Sequence, residues 1–404
     1  MRILLVNKFL RPVGGAETVF FNEWRWLEAA GHEVIPFGMA HPANVDSPYR
    51  HFWLDEVDYG RPTPSQLARF IWSGKAAEKL ANLVAATRPD IAHLHNIYHQ
   101  LTPSLLPVLS QANIPIVLTI HDYKLVCPNY RLYTQGQLCQ RCLSGRTWPA
   151  FRYRCHKDSW LASALVALES GLHRHWQAYG LVDRFIAPSR FGQEMLIRGG
   201  YPAGQITHLP HPITAPAQPN GPTAGGPVLF VGRLEPEKGV SLVLEAAGRL
   251  PYIPFWLVGD GSLPGRTNLP NVTFLGRVTP AGLAPLRQQA SLELVPSLWY
   301  ELFGLTALEG MAAGLPILAS NLGALPEIVV NGETGWLLPA GDGAAWASTI
   351  DHLWSDPLLG QEMGTAGHKR ARELFRPEHH LQALQNLYHT QLRVKNSSLG
   401  THHS

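Results

Sequence analysis

Two glutamates stand eight positions apart in an otherwise apolar stretch, Pro296–Ser320. The pattern predicts that Glu301 lies in a loop leading into a helix and that Glu309 lies about one turn inside it. Between them, Phe303-Gly304-Leu305 would form the helix start, where free backbone N–H groups favour an anion. Two carboxylates around free amides suit a ligand with both hydroxyls and phosphates. The alternative is a buried core helix with two solvated acids.

Two cations form a second candidate group in the stretch Val231–Gly239, directly after a predicted strand. Arg233 and Lys238 are five positions apart, at the expected start of the next helix. Such a pair can hold a diphosphate, because arginine offers a fork of donors and lysine a point charge. The alternative is a surface loop in which both cations pair with the two glutamates of the same loop. No Asp-x-Asp pair occurs in the chain, so these cations and helix amides would neutralise phosphate charge without a metal.

Glycine-containing turns follow three predicted strands. They are Gly14-Gly15, Gly259-Asp260-Gly261 and Gly276-Arg277. Glycine allows the backbone to approach a ligand, and the amides of Gly15 precede a helix. Gly259 and Arg277 are placed where a nucleotide base would stack or bond to the backbone. The first turn lacks the Gly-x-Gly-x-x-Gly dinucleotide fingerprint, and plain turns are an equally good interpretation of all three.

Histidines follow two predicted strands of the first half. His121 ends the apolar run Ile116–Ile120 and is expected to face a cleft, where it would bond a ligand hydroxyl. The alternative is that it fixes the strand end through Asp122. A second group, His93, His95 and His99, has a spacing that resembles metal ligands. Because no carboxylate accompanies this group in the sequence, we expect a loop or acceptor-wall role rather than a metal.

Four cysteines fall within 29 residues: Cys127, Cys139, Cys142 and Cys155. A Cys-x-x-Cys flanked by two further cysteines in a cytosolic protein is typical of a structural zinc site. Disulfides and free thiols are the alternatives. The segment 123–158 is loop-like and begins directly after His121-Asp122, so we expect this insert to shape one side of the cleft.

The elements that must position these residues alternate between strand and helix patterns. A length of 404 residues suits two or three domains, and the alternation predicts two doubly wound α/β domains facing each other across a cleft. We expect domains at 1–210 and 228–375, joined by a Pro- and Gly-rich linker at 211–227. Residues 376–404 are expected to cross back to the first domain as a helix and to fray from Lys395. Ligands of open α/β sheets bind beyond the carboxyl ends of strands, where most candidate residues stand.

Composition excludes several classes of protein. A hydrophobic content of 45% and a charged content of 16% indicate a globular, soluble chain. The net charge of +3 is too small for a nucleic-acid binder. No apolar run reaches the roughly 18 residues of a membrane span, and Met1–Asn7 is interpreted as a strand rather than a signal peptide. We therefore expect a cytoplasmic protein, with a charge compatible with peripheral contact at the inner membrane face.

Aromatic residues are concentrated in the first domain. They are Phe20, Phe21, Trp24, Trp26, Phe52, Trp53, Phe70 and Trp72. They are interpreted as core residues, and if they are exposed they would touch a lipid-linked acceptor at a bilayer surface.

Together these motifs resemble the retaining glycosyltransferases of family four, which have the GT-B fold of two Rossmann-like domains. The likeness covers nearly the whole chain and rests on Gly14-Gly15-Ala16-Glu17, His121-Asp122, Gly232-Arg233 with Lys238-Gly239, Gly259-Asp260-Gly261, Glu301-x-Phe303-Gly304-Leu305-x-x-x-Glu309, Gly323-Ala-Leu-Pro-Glu327 and Gly332-x-x-Gly335. The two-glutamate motif with its Arg–Lys pair is the specific part of this resemblance.

The resemblance implies a UDP- or GDP-sugar donor held mainly by the second domain. It implies that Arg233 and Lys238 grip the diphosphate, that Glu309 binds the ribose hydroxyls and that Glu301 touches the donor sugar. The acceptor would be a glycan or a lipid-linked saccharide in surface polysaccharide synthesis. Catalysis in the family retains the anomeric configuration and typically needs no metal.

Further roles are implied for the backbone and the first domain. Phe303, Gly304 and Leu305 would meet the sugar and phosphate through their backbone. Gly15 would close on the phosphates from the first domain, and His121 would lie near the transferred sugar. The chain departs from the family pattern at His211-Pro212, where many members carry Asn-Gly, and that puts this interdomain contact in question.

Two other functions of a GT-B protein remain open at the level of sequence. One is a protein that binds a sugar nucleotide without transferring the sugar. The other is a sugar-nucleotide epimerase, which needs no acceptor. A phosphorylase would need a lysine that carries pyridoxal phosphate, and none stands in a recognisable setting.

Overall fold

Short apolar runs form the strands of two six-stranded sheets in which all neighbouring strands are parallel. The computed structural model describes residues 1–57, 63–262 and 268–400. Parallel strands are buried on both faces by crossover helices, which is why these runs are apolar throughout. The fold is thus two doubly wound α/β domains, as predicted.

In the part of the first domain that the structure describes there are ten strands, of which six form the main sheet in the order β10-β9-β6-β5-β1-β2. The strands are β1 Arg2–Val6, β2 Glu33–Phe37, β3 Met39–Ala40, β4 Leu54–Asp55, β5 Ile91–Leu94, β6 Ile116–Thr119, β7 Tyr133–Thr134, β8 Gln137–Leu138, β9 Arg184–Ala187 and β10 Ile206–His208. The helices are α1 Gly15–Ala29, α2 Pro64–Ile71, α3 Gly74–Thr87, α4 Leu105–Gln111, α5 Trp148–Arg152, α6 Trp160–His175 and α7 Arg190–Arg198.

The second domain repeats the architecture with the strand order β13-β12-β11-β14-β15-β16. Its strands are β11 Val228–Val231, β12 Phe255–Val258, β13 Val272–Gly276, β14 Leu292–Val295, β15 Ile317–Ser320 and β16 Gly335–Leu338. Its helices are α8 Val240–Arg249, α9 Pro280–Gln289, α10 Leu305–Ala313, α11 Leu325–Ile328, α12 Gly343–Ser355 and α13 Pro357–Leu374, followed by the C-terminal α14 Pro377–Gly400.

Two strands that the sequence did not predict, β10 and β16, are outer strands of their sheets. Both are only partly buried. Strand β10 lacks a continuous apolar run because it contains Thr207 and His208, whereas β16 is an apolar run that the sequence prediction missed. Helix α6, which begins directly after the Cys-rich insert, was also not predicted. Helices α2 and α3 are separated by Trp72 and Ser73, and the Ser73 hydroxyl caps the second of them.

The C-terminal helix packs on the first domain. Leu384 and Tyr388 belong to the hydrophobic core around the first sheet, and the Tyr388 hydroxyl lies 2.7 Å from Nδ1 of His93. Helix α14 continues to Gly400, so the first part of the expected frayed tail is helical, and residues 401–404 lie outside the described residues. Among the helices that the structure describes, none is long and apolar enough to cross a membrane.

Candidate functional site

A cavity of about 400 Å³ lies between the two domains, beyond the carboxyl ends of β6, β11 and β14. This is where ligands bind in open α/β sheets. The residues that line it include most of the predicted site: Gly15 and His121 from the first domain, His211 from the linker, and Arg233, Lys238, Glu301, Phe303, Gly304 and Leu305 from the second domain. Segments distant in sequence therefore meet at one place, as the motifs predicted.

Glu301 is held by three donors on one of its two oxygens. Oε1 accepts hydrogen bonds from Lys238 Nζ at 2.7 Å, Ser297 Oγ at 2.6 Å and Trp299 Nε1 at 2.9 Å. Oε2 accepts none from the described residues and is left for a ligand. Burial by itself would raise the pKa of Glu301, but the charge and hydrogen bond of Lys238, with the two neutral donors, lower it below the ordinary value. The side chain is therefore an ionised carboxylate of fixed orientation.

The Arg233 side chain is half exposed and makes one long contact, 3.3 Å from Nη2 to Oε1 of Glu237. Glu237 is buried, and Arg131 of the insert approaches the same oxygen at 3.3 Å. The alternative interpretation was that both cations pair with glutamates of their own loop. It is right for Arg233, which contacts Glu237, and wrong for Lys238, which binds Glu301. Because Arg131 remains a cationic partner of the buried Glu237, Arg233 can turn to a phosphate without leaving that carboxylate unpaired.

The start of helix α10 faces the cavity with free amides. Gly304 is its N-cap at φ +100° and no side chain caps the helix, so the first backbone N–H groups remain available to an anion. A Cβ on Gly15 would lie 3.1 Å from Cδ1 of Leu305, which shows how closely the first domain approaches this helix. On the same rim, Arg277 Nη2 donates to the carbonyl of Val13 at 3.1 Å.

Three predicted ligand-binding residues lie outside the lining of this cavity: Gly259, Arg277 and Glu309. Glu309 accepts a hydrogen bond from Arg287 Nη2 at 3.0 Å, and Arg287 also binds the fully buried Glu293. Gly259 has φ +135°, and a Cβ there would lie 1.9 Å from the carbonyl oxygen of Gly232. Gly259 thus packs beneath the loop that carries Arg233, and the nucleotide-binding roles of these three residues stay predictions.

His121 is the end of a buried chain of imidazoles. Its Nε2 lies 2.7 Å from Nδ1 of His95, whose Nε2 lies 3.4 Å from Oε2 of Glu23. The other oxygen of Glu23 is 3.0 Å from Nε2 of His380 on α14. The expectation that no carboxylate accompanies these histidines is therefore wrong, because Glu23 reaches them from α1. The available signal was a glutamate at a core-facing position of an amphipathic helix.

The ring of His121 also stacks on His211, with centroids 5.4 Å apart and planes at 13°. His211 in turn meets the edge of Phe303 at 5.1 Å, so the linker histidine does connect the two domains. Burial, followed by the neighbouring His95 and His211, lowers the pKa of His121 well below its ordinary value. His121 therefore presents a neutral imidazole. Asp122 does not hold it and instead accepts hydrogen bonds from Tyr98 and the Lys124 amide.

The potential ligand atoms of Glu23, His93 and His95 all lie within 4.8 Å of one another. Both ring nitrogens of His93 already have hydroxyl partners, Thr119 at 2.7 Å and Tyr388 at 2.7 Å. His93 lies on strand β5 in the core rather than in a loop or an acceptor wall, so that expectation is wrong for it. The cluster is a hydrogen-bonded network that joins α1, the first sheet and α14.

The four cysteines line one closed cavity of about 10 Å³. Their sulfurs are too far apart to share a metal ion as they stand. Among the described residues, the group with three potential ligand atoms within 4.8 Å of one another is Glu23, His93 and His95, and it contains no cysteine. All four are free of disulfides. Burial raises the pKa of the Cys142 thiol to about 12, with the three other sulfurs contributing.

The insert contacts the loop that carries Glu301. Gln140, inside the Cys-x-x-Cys segment, donates to the Tyr300 hydroxyl at 3.1 Å, and Arg131 approaches Glu237 as described above. From the start of α7, outside the insert, Ser189 Oγ donates to the carbonyl of Leu302 at 2.5 Å. The cysteine segment therefore borders the catalytic cleft, as the sequence predicted from its departure point after Asp122.

Most of the predicted aromatic group is in the core or partly buried. Phe20, Trp53 and Phe70 are buried, whereas Trp72 is exposed at 38%. The core interpretation is thus right for this group with the exception of Trp72.

Comparison with known proteins identifies the family. Residues 13–215 match a family model described as Glycosyltransferase Family 4, and residues 226–356 match one described as Glycosyl transferases group 1. A glycogen synthase of Mycobacterium tuberculosis is 26% identical over 415 residues, covering 93% of this chain and 91% of that protein. A phosphatidyl-myo-inositol mannosyltransferase of Mycobacterium leprae is 34% identical over 169 residues, covering 39% of this chain and 45% of that protein.

Solved structures share the fold. Sucrose-phosphate synthase of Thermosynechococcus elongatus superimposes with a TM-score of 0.70 at 22% identity, covering 97% of this chain and 99% of that one. Anabaena Alr3699/HepE in complex with UDP and glucose gives a TM-score of 0.65 at 21% identity, covering 96% and 99% of the two chains. With its two parallel α/β domains, its interdomain cleft and these matches along the sequence, the chain belongs to the glycosyltransferases of the GT-B fold, within the group described by the Family 4 model.

Proposed function

We propose that this glycosyltransferase moves a sugar from a UDP- or GDP-sugar to a glycan or lipid-linked saccharide of a surface polysaccharide, with retention of configuration and without a catalytic metal. The observation that carries the proposal is the fixed carboxylate of Glu301, which lines the cavity together with Lys238 and the uncapped start of α10 and whose Oε2 accepts no hydrogen bond from the described residues. A carboxylate that accepts sugar hydroxyls and a group of phosphate-binding donors thus lie within one cleft.

On the donor side, the diphosphate would lie between Arg233, Lys238 and the amides at Phe303–Leu305. These donors stabilise the negative charge that grows on the leaving phosphate as the bond breaks between its oxygen and C1, the anomeric carbon of the donor sugar. Glu309 is proposed to bind the ribose after a small movement of its contact with Arg287. The structure of the similar Anabaena protein with UDP-glucose makes UDP-glucose the first donor to test.

On the acceptor side, a hydroxyl would attack C1 on the face from which the phosphate departs. The new bond joins the acceptor oxygen to C1, the C1–phosphate oxygen bond breaks, and the acceptor proton passes to a phosphate oxygen of the leaving diphosphate. Neutral His121 suits a hydrogen bond to the transferred sugar, because it adds no charge beside the reacting carbon. His95 and Glu23 hold its ring in place.

We propose in addition that the four cysteines bind one structural zinc ion. Thiolates are the preferred ligands of structural zinc, and the four cysteines that line one cavity of about 10 Å³ supply the donor set. Side-chain rotations would bring them to coordination distance. The ion would hold the insert, and hence Gln140 beside Tyr300, at the edge of the cleft.

A donor panel tests the proposed reaction. The purified chain is incubated with UDP- and GDP-sugars, with and without saccharide acceptors, and products are identified by mass spectrometry and by the anomeric coupling in NMR spectra. We expect release of nucleoside diphosphate and an α-linked product from an α-linked donor. An inverted product would contradict retention. Nucleotide binding without turnover, or conversion of the donor sugar without acceptor, would support the sugar-binding or epimerase alternatives.

A further inference from the structure

Helix α6 carries exposed leucines on its outer side, while Glu169 and His173 lie on its buried side beside Val166 and Ala167. Leu161, Leu165, Leu168 and Leu172 recur at intervals of four and three residues, which places them on one face. Leu161 is exposed at 83% and Leu168 at 54%. In a helix that covers a core, the apolar stripe faces inward. Val166 and Ala167 do so here, but Leu161 and Leu168 form a second apolar stripe that faces solvent.

The buried face of α6 explains why the helix cannot simply be rotated. Glu169 is fully buried and accepts a hydrogen bond from Lys124 Nζ at 2.6 Å. On the same face, His173 Nε2 lies 2.7 Å from the carbonyl oxygen of Ile71. Burial would raise the pKa of Glu169, but Lys124 and then His99 lower it to about 2. A charge network thus fixes the orientation of α6 and leaves its leucines outward.

Aromatic side chains extend this apolar surface at both ends of α6. At its start, Trp148 is exposed at 61%, and the rings of Phe151 and Trp160 lie 5.0 Å apart. At its end, Trp176 and Trp72 are in edge contact at 5.7 Å. The α6 surface is defined here as Trp72, Trp148, Phe151, Trp160, Leu161, Leu168, Trp176 and Leu181, all of them exposed. Soluble proteins rarely leave so much contiguous apolar area uncovered, and such areas mark interaction sites.

Charge around the α6 surface identifies the kind of partner. Residues 146–181 contain five lysines and arginines and two acids. One acid, Glu169, is buried in its ion pair with Lys124, and the other, Asp158, lies 3.4 Å from Arg154. The exposed charge is therefore positive and comes from Arg146, Arg152 and Lys157. A contact between two copies through this surface would bring like charges together, whereas an anionic lipid surface would complement it.

We propose that the α6 surface seats the chain on an anionic bilayer, with leucines and tryptophans in the headgroup region. Amphipathic helices bind in this way when cations border the apolar face, and tryptophan favours the membrane–water interface. This surface shares only Trp72 with the aromatic group considered from the sequence. The proposal does not depend on the donor or the reaction proposed above, although it would bring the cleft to the membrane in which a lipid-linked acceptor lies.

Vesicle co-sedimentation tests the proposal. The full chain is mixed with vesicles of phosphatidylcholine alone or with phosphatidylglycerol, at low and high salt. We expect binding to the anionic vesicles that weakens with salt, and a reduction of about tenfold or more in the partition coefficient for Leu161→Glu/Leu168→Glu. The matched control is Leu358→Glu/Leu374→Glu on α13, because these leucines are exposed at 73% and 55%. The control is expected to bind vesicles as the wild type does.

A charge variant and two further measurements complete the experiment. Arg152→Glu/Lys157→Glu should lose binding to anionic vesicles while the helix leucines remain. UDP affinity and thermal unfolding should be unchanged in all variants, which separates a failure of this proposal from a failure of the donor site. Absence of vesicle binding by the wild type, or equal losses in the control, would overturn the proposal. So would sedimentation velocity showing a dimer that Leu161→Glu/Leu168→Glu dissociates, since the surface would then join two copies.

Discussion

Lys238 donates a hydrogen bond to Glu301 at 2.7 Å and thereby joins the loop after β11 to the loop after β14. These strands are neighbours in the second sheet, so the pair connects the proposed phosphate-binding cation to the proposed sugar-binding carboxylate. A sugar nucleotide that binds here would contact both members. The ion pair therefore keeps the site ordered before the donor arrives.

The exchange Glu301→Gln should abolish most turnover while the protein still folds. The amide removes the negative charge that balances Lys238 and weakens the acceptor for sugar hydroxyls, so we expect a loss of about a hundredfold or more in kcat. Ser297→Ala is the matched control, since it removes one donor from Oε1 and leaves the carboxylate. Steady-state kinetics with normal activity in the glutamine variant would end the assignment of Glu301.

Replacing Arg233 by alanine should raise the donor KM and lower kcat. Its guanidinium is half exposed and only loosely held by Glu237, and diphosphate charge grows as the glycosidic bond breaks. We expect a decrease of about tenfold or more in kcat/KM for the donor, partly restored by Arg233→Lys. Arg131→Ala serves as the control, because it removes the other cation from Glu237. An equal loss in that variant would show that Arg233 acts through Glu237 rather than through phosphate.

Gly259→Ala should destabilise the second domain much more than Gly276→Ala. Both glycines have positive φ, +135° and +67°, but an added Cβ would lie 1.9 Å from the Gly232 carbonyl at Gly259 and would meet nothing within 4 Å at Gly276. The control, Gly276→Ala, should lower the free energy of unfolding by about 1–2 kcal/mol, because alanine disfavours a positive φ. Chemical unfolding of both variants measures the difference. Equal stabilities would contradict the close packing of the Gly259 turn against the Gly232 carbonyl.

The purified chain should contain about one zinc ion, measured by plasma mass spectrometry, and Cys142→Ser should lose it. Because the metal would hold the insert, removal by a chelator should speed proteolysis within residues 123–158 and lower the melting temperature. Thiol titration in denaturant distinguishes the alternatives. Four titratable thiols without metal would indicate free cysteines, and fewer thiols in a metal-free protein would indicate disulfides.

Acidification should destabilise the protein before its carboxylates titrate. Burial, first of all, lowers the pKa of His93 and of His211 to about 3 from an ordinary 6.5. Between these values the unfolded chain binds protons that the folded chain does not, so the free energy of unfolding falls as pH decreases from 6.5. The decrease is up to about 1.4 kcal/mol per pH unit for each ring.

Urea unfolding between pH 7.5 and 5 measures this slope. The pKa values of Glu301 and Glu169 are lowered. These two carboxylates therefore reduce stability only below the ordinary pKa of a carboxyl group and do not contribute to the slope between pH 7.5 and 5. His211→Gln should reduce the slope of the unfolding free energy against pH by up to about 1.4 kcal/mol per pH unit, the contribution of one proton. A flat profile in the wild type would show that the buried imidazoles take up protons in the folded state.

The sequence alone located most of the cleft because its motifs are local. Glu301, the start of α10 and the Arg233–Lys238 loop each follow an apolar strand, and parallel sheets bring the residues after neighbouring strands to one edge. The inner strands were predictable for the same reason, since burial on both faces requires continuous apolar runs. The outer strand β10 contains Thr207 and His208 and lacks that signal, whereas the apolar run of β16 was missed.

Only the tertiary structure decided which partners the charged residues have. Lys238 pairs with Glu301 rather than with its own loop, and Glu23 of α1 joins His95 after β5 and His380 of the C-terminal helix, the latter 357 positions away. The orientation of α6 was likewise decided in three dimensions, because the buried pair of Glu169 and Lys124 turns the leucines outward. Local patterns report the period and burial of a segment, whereas ion pairs between distant segments depend on how the sheets and helices pack.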